Sequence, residues 1–381
     1  MASLYDRSIQ IIKEGQYETG AYIASPNFPT YHYCWLRDGS FIAHAMDRAG
    51  EFASAEAFYR WVGRTIQKHS NKVEQIEQHL KSGLPIGKDD VLHTRYTFDG
   101  EEVMVDSTWG NFQIDGYGTW LWALAAHVKL SDNTALLRDL LEPIHITLRY
   151  LDLVWQLPNY DCWEEHPEYL HFYSLATVFA GFNSTAFLQE KGLIPENGIP
   201  LRKKAEQVKE FLLKYAVLDG RMVKHVSPAR NAEPPKPIPQ SGVDASLIGV
   251  AVPYHVLSLE DPLVTKTVQT IESDLLRPGG GVYRYRADVY YGGGEWILLT
   301  AWLGWYYVQI GKLDEAEKLI VWIESQATAE GFLPEQVNGF TLSPKHYDPW
   351  LKKWGPVASP LLWSHAMYII LFNEIKQAGL K

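Results

Sequence analysis

The chain has 381 residues, of which 46% are hydrophobic and 21% charged, and its formal net charge at pH 7 is −10. This composition predicts a globular protein with a large core. The acidic balance argues against a nucleic-acid partner, because no basic stripe is present to bind a phosphate backbone. The sequence contains no apolar run of roughly 18 residues, so we expect no membrane-spanning segment.

The N-terminus, the cysteines and the histidines limit the compartment and the cofactors. The first residues include Asp6, Arg7 and Lys13, so they lack the apolar centre of a signal peptide. Cys34 and Cys162 cannot build a disulfide framework. The histidines show no spacing typical of zinc ligands, so we expect neither a metal nor another cofactor. We therefore expect a cytoplasmic protein, or a secreted one if a signal peptide has been trimmed from it.

Aromatic residues are unusually abundant, with 14 Trp, 22 Tyr and 14 Phe. Many of them lie in segments with Gly, Asp and Glu, where a core does not need them. Aromatic faces with acids at the rim suit sugar rings, which present apolar C–H faces and polar hydroxyl edges. Large helical proteins also pack many aromatics, so a purely structural role is the alternative.

In chain order, apolar periodicity predicts alternating buried and amphipathic helices. Loops rich in Trp, Arg and acids each precede a mostly apolar helix, and these helices are predicted to begin near residues 39, 116, 169, 244, 295 and 362. Amphipathic helices are predicted over residues 4–14, 52–81, 132–156, 202–218, 261–276 and 312–327. We expect Asp38 to cap the first apolar helix and Pro143 to kink the 132–156 helix. A hairpin is predicted within 83–106, and a proline-rich extended loop over 227–240.

Six buried helices that alternate with six half-exposed ones predict an all-α toroid of two concentric rings. The inner helices of such a toroid all begin at one end, so the loops before them converge there. That arrangement would gather residues scattered between 35 and 365 into one pocket. An open helical solenoid is the alternative, but no fixed sequence period supports it.

Three glutamates are candidates for acid–base chemistry. Glu164 and Glu165 follow Trp163 in a predicted loop, and Glu335 lies in a loop on the other side of the predicted ring. Aromatic surroundings raise the pKa of a carboxylic acid, which can then protonate a leaving oxygen. Two carboxyl groups that hold a water between them have the geometry of an inverting glycosidase. The alternative for each is a solvated loop acid.

Charged and aromatic side chains from the other loops complete the predicted pocket. Arg37, Asp38 and Arg284 are predicted to bind sugar hydroxyls through charged hydrogen bonds. Tryptophans are predicted to line the walls, namely Trp35, Trp109, Trp163 and Trp363. The alternatives are a helix cap with its salt bridge for Arg37 and Asp38, and core packing for the tryptophans.

Together these motifs resemble glycoside hydrolase family 15, the glucoamylase and glucodextranase family. They occur in that family's order along nearly the whole chain: Trp35-Leu36-Arg37-Asp38, Trp109-Gly-x-x-Gln113-x-Asp115-Gly116, Trp163-Glu164-Glu165, Arg284-Tyr285-x-x-Asp288-x-Tyr290-Tyr291, Glu335-Gln336 and Leu362-Trp363-Ser364-His365. The resemblance implies an (α/α)6 barrel of six inner and six outer helices. It implies that Glu164 is the general acid and Glu335 the general base. It also implies that the substrate-binding residues are Trp35, Arg37, Asp38, Trp109, Trp163, Glu165, Arg284, Asp288 and Trp363.

The resemblance further implies an exo-acting, inverting α-glucosidase that releases β-glucose from the non-reducing ends of short α-1,4- or α-1,6-gluco-oligosaccharides. We expect residues 1–381 to form one barrel domain, without the β-sandwich or starch-binding module of other family members. The alternatives are an inactive sugar-sensing domain, a trehalose hydrolase and a phosphorolytic enzyme. The pair Glu164 and Glu335 argues against the first, and Glu335 argues against the last. Neither the linkage nor the oligomeric state follows from the sequence.

Overall fold

The computed structural model describes residues 3–103, 109–230 and 232–380. Within these ranges the α-helices are α1 (Leu4–Glu14), α2 (Leu36–Arg48), α3 (Phe52–Lys68), α4 (Ser70–Lys81), α5 (Asp115–Ser131), α6 (Ala135–Asp139), α7 (Leu141–Val154), α8 (Phe172–Glu190), α9 (Leu201–Tyr215), α10 (Pro262–Asp274), α11 (Ile297–Gln309), α12 (Leu313–Ser325), α13 (Tyr347–Trp354) and α14 (Leu362–Ala378). The strands are short: β1 (Cys34–Trp35), β2 (Arg95–Tyr96), β3 (Leu170–His171), β4 (Val217–Leu218), β5 (Arg221–Met222), β6 (His225–Ser227), β7 (Lys236–Pro237), β8 (Val282–Tyr283), β9 (Glu295–Trp296) and β10 (Gln336–Val337).

The helices form two concentric rings. The inner ring runs α2, α5, α8, a 3-10 helix (Ala245–Val250), α11 and α14, and α14 packs on α2 to close it. The inner elements are almost entirely buried, as expected for helices that are apolar on most sides. Helices α1, α3, α7, α9, α10 and α12 pack around them as the outer ring. The predicted (α/α)6 barrel is therefore confirmed.

The fourth inner element differs from the prediction. The sequence predicted an α-helix beginning near residue 244, whereas the structure has the 3-10 helix Ala245–Val250 followed by turns. Pro253 follows closely, and a proline cannot continue a helical ladder because it has no backbone N–H. The apolar composition of this segment indicated its burial correctly and its backbone conformation wrongly.

Three local predictions were also wrong. The predicted helix over 52–81 is two helices, α3 and α4, separated at His69. Pro143 does not kink a long helix: α6 and α7 are separate, and Pro143 lies in the first turn of α7, where backbone N–H groups have no partner within the helix. Asp38 is not a cap, because α2 begins at Leu36 and Asp38 lies within its first turn. None of these errors alters the order of the ring.

Short antiparallel strands fix where the loops leave the barrel. Strand β1 pairs with β2 and leads directly into α2, and β9 lies between β8 and β10 and leads into α11. Strand β2 and the bridge from Tyr96 to Glu102 lie in the segment 83–106, where a hairpin was predicted; residues 104–106 of that segment lie outside the described ranges. The predicted extended loop over 227–240 contains β7, which pairs with β6. Among the described residues, no helix combines the length and apolarity needed to cross a bilayer.

Candidate active site

The loops before the inner helices converge at one end of the barrel on a cavity of about 360 Å3. Every site residue predicted from the sequence lines this cavity, except Asp288. The lining set comprises Trp35, Arg37, Asp38, Trp109, Trp163, Glu164, Glu165, Arg284, Glu335 and Trp363. The convergence of loops separated by up to about 300 residues thus assembles one pocket with carboxyl groups, guanidinium groups and indole rings.

Glu164 lies on one wall of the cavity, with its side chain 19% exposed. The indole Nε1 of Trp35 donates a hydrogen bond of 2.6 Å to its Oε1, and Nη2 of Arg37 is 3.9 Å from the same oxygen. Burial raises the pKa of Glu164, while the charge of Arg37 and the Trp35 hydrogen bond act in the opposite direction. The net effect is that Glu164 keeps its proton to a higher pH than an ordinary glutamate.

A tight turn around Asp161 holds Glu164 in place. Oδ1 of Asp161 accepts hydrogen bonds from the backbone N–H of Trp163 at 2.9 Å and of Glu165 at 2.8 Å. The N–H of Glu164 donates to the carbonyl of Asp161 at 2.9 Å. Glu164 has φ of 66°, a left-handed conformation that costs free energy for a residue other than glycine. The Asp161 side chain therefore stabilises the backbone conformation on which the position of Glu164 depends.

Glu335 lies deeper, at 4% exposure. The hydroxyl of Tyr31 donates to its Oε1 at 3.0 Å, and the hydroxyl oxygens of Tyr31 and Tyr290 are 2.9 Å apart. Among the described residues no group donates to the buried Oε2. Burial raises the pKa of Glu335 to about 8, against the lowering effect of the Tyr31 hydrogen bond and the charge of Arg284. Ionisation of Glu335 at neutral pH therefore requires further donors, and Oε2 is the atom open to them.

Arg37 is held by three buried polar side chains. Its Nη1 donates to Oε1 of Gln113 at 3.0 Å and to Oδ2 of Asp115 at 3.2 Å, and its Nε is 3.3 Å from Oδ2 of Asp38. The guanidinium lies 5.4 Å from the ring centre of Trp363. Burial raises the pKa of Asp38 to about 6, and Arg37 opposes this effect. Arg37 and Asp38 thus form a fixed pair of a donor and an acceptor at the cavity surface.

Arg284 forms a second fixed pair, but its partner lies outside the cavity. Its Nε and Nη2 donate to the two carboxylate oxygens of Asp288 at 2.7 and 2.5 Å, a bidentate geometry. Nη2 of Arg284 is also 3.6 Å from Oε1 of Glu165, and the Tyr285 hydroxyl donates to Oε2 of Glu165 at 2.5 Å. Asp288, which the family resemblance implied to be substrate-binding, does not line the cavity and instead pairs with Arg284.

Sequence reasoning missed several residues of the cavity wall. Helix α13 contributes Trp350, Lys353 and Trp354, and Trp354 stacks on Trp109 with ring centres 6.4 Å apart. Tyr31 was also missed, although it lies only four residues before Trp35. The one available signal was the spacing of the two tryptophans in α13, because residues four apart share a helix face.

One group of potential metal ligands occurs in the part of the chain that the structure describes, namely Asp161, His171 and His225. The Nδ1 atoms of the two histidines are 2.9 Å apart, and Nε2 of His171 lies 2.6 Å from the carbonyl oxygen of Asn159. The ammonium of Lys224 is 3.2 Å from Oδ2 of Asp161. These residues do not fit a metal, because the histidines bind each other and a lysine already supplies the positive charge.

Comparison with known proteins identifies the family. The model of the family described as "Glycosyl hydrolases family 15" matches residues 2–339. The chain belongs to this family. It is therefore a glycoside hydrolase, and the resemblance inferred from the motifs is confirmed.

Two similar proteins agree with this assignment, and a third, more distant one shares the fold. An isomaltose glucohydrolase from Kribbella flavida is 36% identical over 366 residues, which cover 96% of this chain and 90% of the relative. A solved glycosidase variant in complex with glucose superposes with a TM-score of 0.88 at 35% identity, over 98% of this chain and 96% of that one. A bacterial glucoamylase in complex with acarbose shares the fold, with a TM-score of 0.71 at 22% identity, over 99% of this chain and 56% of that one.

Proposed function

We propose that this protein is an exo-acting, inverting α-glucoside hydrolase that releases β-glucose from short α-gluco-oligosaccharides. The observation that carries the proposal is the placement of a half-buried and a buried carboxyl group, Glu164 and Glu335, in one cavity. Glu164 lies in the loop before α8 and Glu335 in the loops before α14, and these two helices are three positions apart in a ring of six inner elements. Carboxyl groups on opposite walls suit an inverting reaction, in which a water lies between the sugar and the base.

Glu164 would act as the general acid. Its raised pKa keeps a proton available for the glycosidic oxygen of the leaving sugar. Trp35 donates to Oε1 of the carboxyl group, and Arg37 lies near the same oxygen, so Oε2 is the oxygen that would carry the proton. The carboxylate left after proton transfer would be stabilised by Trp35 and Arg37.

Glu335 would act as the general base. A water that donates to the unpartnered Oε2 would favour the carboxylate form, which the buried site otherwise disfavours. The same carboxylate would then accept a proton from that water as it attacks the anomeric carbon. Tyr31, which holds Oε1, would fix the orientation of the carboxylate during this step.

The remaining wall residues would bind the sugar. Arg37 and Asp38 present a donor and an acceptor whose positions are fixed before the substrate arrives, which suits the hydroxyl groups of the terminal glucose. Glu165 and Arg284 would bind the next sugar. Trp35, Trp109, Trp163 and Trp363 would cover the apolar faces of the rings.

The size of the cavity favours short substrates. Its volume of about 360 Å3 lies near the lower end of the roughly 300–1,000 Å3 typical of small-molecule pockets. Helix α13 closes one side, where Trp354 stacks on Trp109. Because the relative from Kribbella flavida is named for isomaltose, we place α-1,6-linked glucose disaccharides first among the substrates and α-1,4-linked ones second.

Two measurements test this proposal. Initial rates on isomaltose, maltose, their longer homologues and trehalose should be highest for a disaccharide or trisaccharide with an α-1,6 or α-1,4 linkage. Hydrolysis of trehalose alone would contradict the substrate class. Proton NMR of the product in the first minutes should show β-glucose before mutarotation. Release of α-glucose would contradict inversion and the base role of Glu335.

A further inference from the structure

Lys224 lies buried beneath the loop that carries Glu164, and the proposed mechanism gives it no role. Its side chain is only 5% exposed. The Nζ atom is 3.2 Å from Oδ2 of Asp161 and 3.2 Å from Oδ2 of Asp244. It also lies 3.8 Å from Oε2 of Glu165 and 3.7 Å from the ring centre of Tyr285. One ammonium group is thus the shared counter-ion of two buried carboxylates.

The buried amine of Lys224 stays protonated and positively charged. Burial by itself lowers the pKa of a lysine, but the adjacent carboxylates of Asp161 and Asp244 more than offset this, so the pKa of Lys224 is raised. The same ammonium group lowers the pKa of Asp161 to about 2 against the effect of burial. Lys224 and Asp161 are therefore both ionised over the pH range in which a glycosidase of this kind can work.

The two carboxylates hold the backbone and the indole ring of Trp163. Oδ1 of Asp161 accepts the backbone N–H of Trp163 and of Glu165, and Oδ2 of Asp244 accepts the indole N–H of Trp163 at 2.9 Å. Asp244 is itself held by the backbone N–H of Ser246. Glu164 lies between the two residues whose N–H groups Asp161 binds. The backbone position of the proposed acid therefore depends on an ionised Asp161 and on Asp161 and Asp244 staying close together.

Without the ammonium group, two buried carboxylates would face each other with no positive charge between them. Asp161 would take up a proton, or the two carboxylates would move apart, because neighbouring like charges disfavour double ionisation. A protonated or displaced Asp161 accepts the two backbone N–H groups less well. The left-handed conformation of Glu164 would then lose its support.

We propose that Lys224 is a positioning residue for catalysis: its ammonium group holds Asp161 and Asp244 together, and these carboxylates hold Glu164 in reach of the glycosidic oxygen. This inference rests on the proposed role of Glu164 as general acid. It assigns Lys224 no contact with the substrate. Its effect must therefore be greatest on reactions that need proton donation to the leaving group.

The test compares two substrates that differ in how far their leaving group must be protonated. Isomaltose has a poor leaving group that must be protonated, whereas α-glucosyl fluoride releases fluoride, which needs little protonation. Lys224→Met removes the charge and keeps the length of the side chain. We expect its kcat on isomaltose to fall on the order of 100-fold, the effect of a misplacement of about 1 Å, while its kcat on α-glucosyl fluoride falls far less. Glu164→Ala should show the same selective loss.

The controls separate positioning from folding. Lys204→Met removes a lysine that pairs with Asp152 on the outer helices, and it should leave both rates unchanged. If Lys224→Met does not fold, as judged by near-ultraviolet circular dichroism, then Lys224→Gln gives the same comparison with a polar side chain. Lys224→Arg, which keeps the charge, should recover part of the isomaltose rate.

The outcomes are distinct. Equal loss on both substrates in folded Lys224→Met would mean a general structural role and would overturn the inference, as would unchanged rates on both. If Glu164→Ala itself lost both activities equally, the acid role of Glu164 would be wrong. The proposed function would then fail independently of Lys224.

Discussion

The hydrogen bond from Trp35 to Glu164 makes a quantitative prediction about the pH dependence of the enzyme. Replacement of Trp35 by Phe keeps an aromatic ring but removes the Nε1–H donor, which is 2.6 Å from Oε1 of Glu164. Because this donor favours the ionised form, its loss raises the pKa of Glu164 further. A hydrogen bond to a charged group contributes about 1.5–3 kcal/mol, and a pKa change of 1 corresponds to about 1.4 kcal/mol. The pKa of Glu164 should therefore rise by about 1 to 2.

The assay is the pH profile of kcat/KM on isomaltose, whose two apparent pKa values belong, under the proposed mechanism, to the coupled pair Glu164 and Glu335. One apparent pKa should rise by about 1 to 2 in Trp35→Phe, and the other should stay in place. Trp109→Phe is the matched control, because the buried Nε1 of Trp109 has no hydrogen-bond partner among the described residues. That control should leave both apparent pKa values unchanged. A profile of Trp35→Phe with neither value raised would refute the reasoning.

Three further variants test other parts of the structure. Glu335→Ala should abolish turnover, while isothermal titration still detects glucose binding. A general base is expected to raise the rate about 10²–10⁴-fold, so activity above about 1% of wild type would contradict the base role. Asp288→Ala removes the bidentate partner of the buried Arg284 and leaves only the longer contact with Glu165. It should lower the free energy of unfolding by about 3–5 kcal/mol and raise KM, measured by urea titration and kinetics; unaltered stability would contradict the pairing. Gly118→Ala places a Cβ 2.2 Å from a backbone oxygen of α8 and should lower the free energy of unfolding by about 1–3 kcal/mol. The control Gly339→Ala meets open space and should leave the free energy of unfolding unchanged. Equal effects of the two variants would contradict the close packing of α5 on α8.

The proposed catalytic pair could be named from the sequence because each glutamate lies in a short local motif. Trp163-Glu164-Glu165 and Glu335-Gln336 are contiguous, so their family resemblance is readable without a fold. The pKa values could not be read in the same way. The same glutamate is acidic in water and weakly acidic when buried, and the burial of Glu335 at 4% exposure is set by loops from several parts of the chain.

By itself the sequence determined the ring order, because a helix that is apolar on all sides must be buried and a polar, aromatic loop must lie at its end. It did not determine the conformation of the segment after Asp244, since burial selects apolar side chains in a 3-10 helix as well as in an α-helix.

Only the tertiary structure revealed the contacts that hold the residues of the proposed active site in place. Lys224 contacts Asp161, which lies 63 residues away in the sequence, and Tyr31 contacts Glu335, which lies 304 residues away. Such contacts leave no local pattern in a single sequence, because a charge or a hydroxyl group acquires its role from what the fold places within about 4 Å of it.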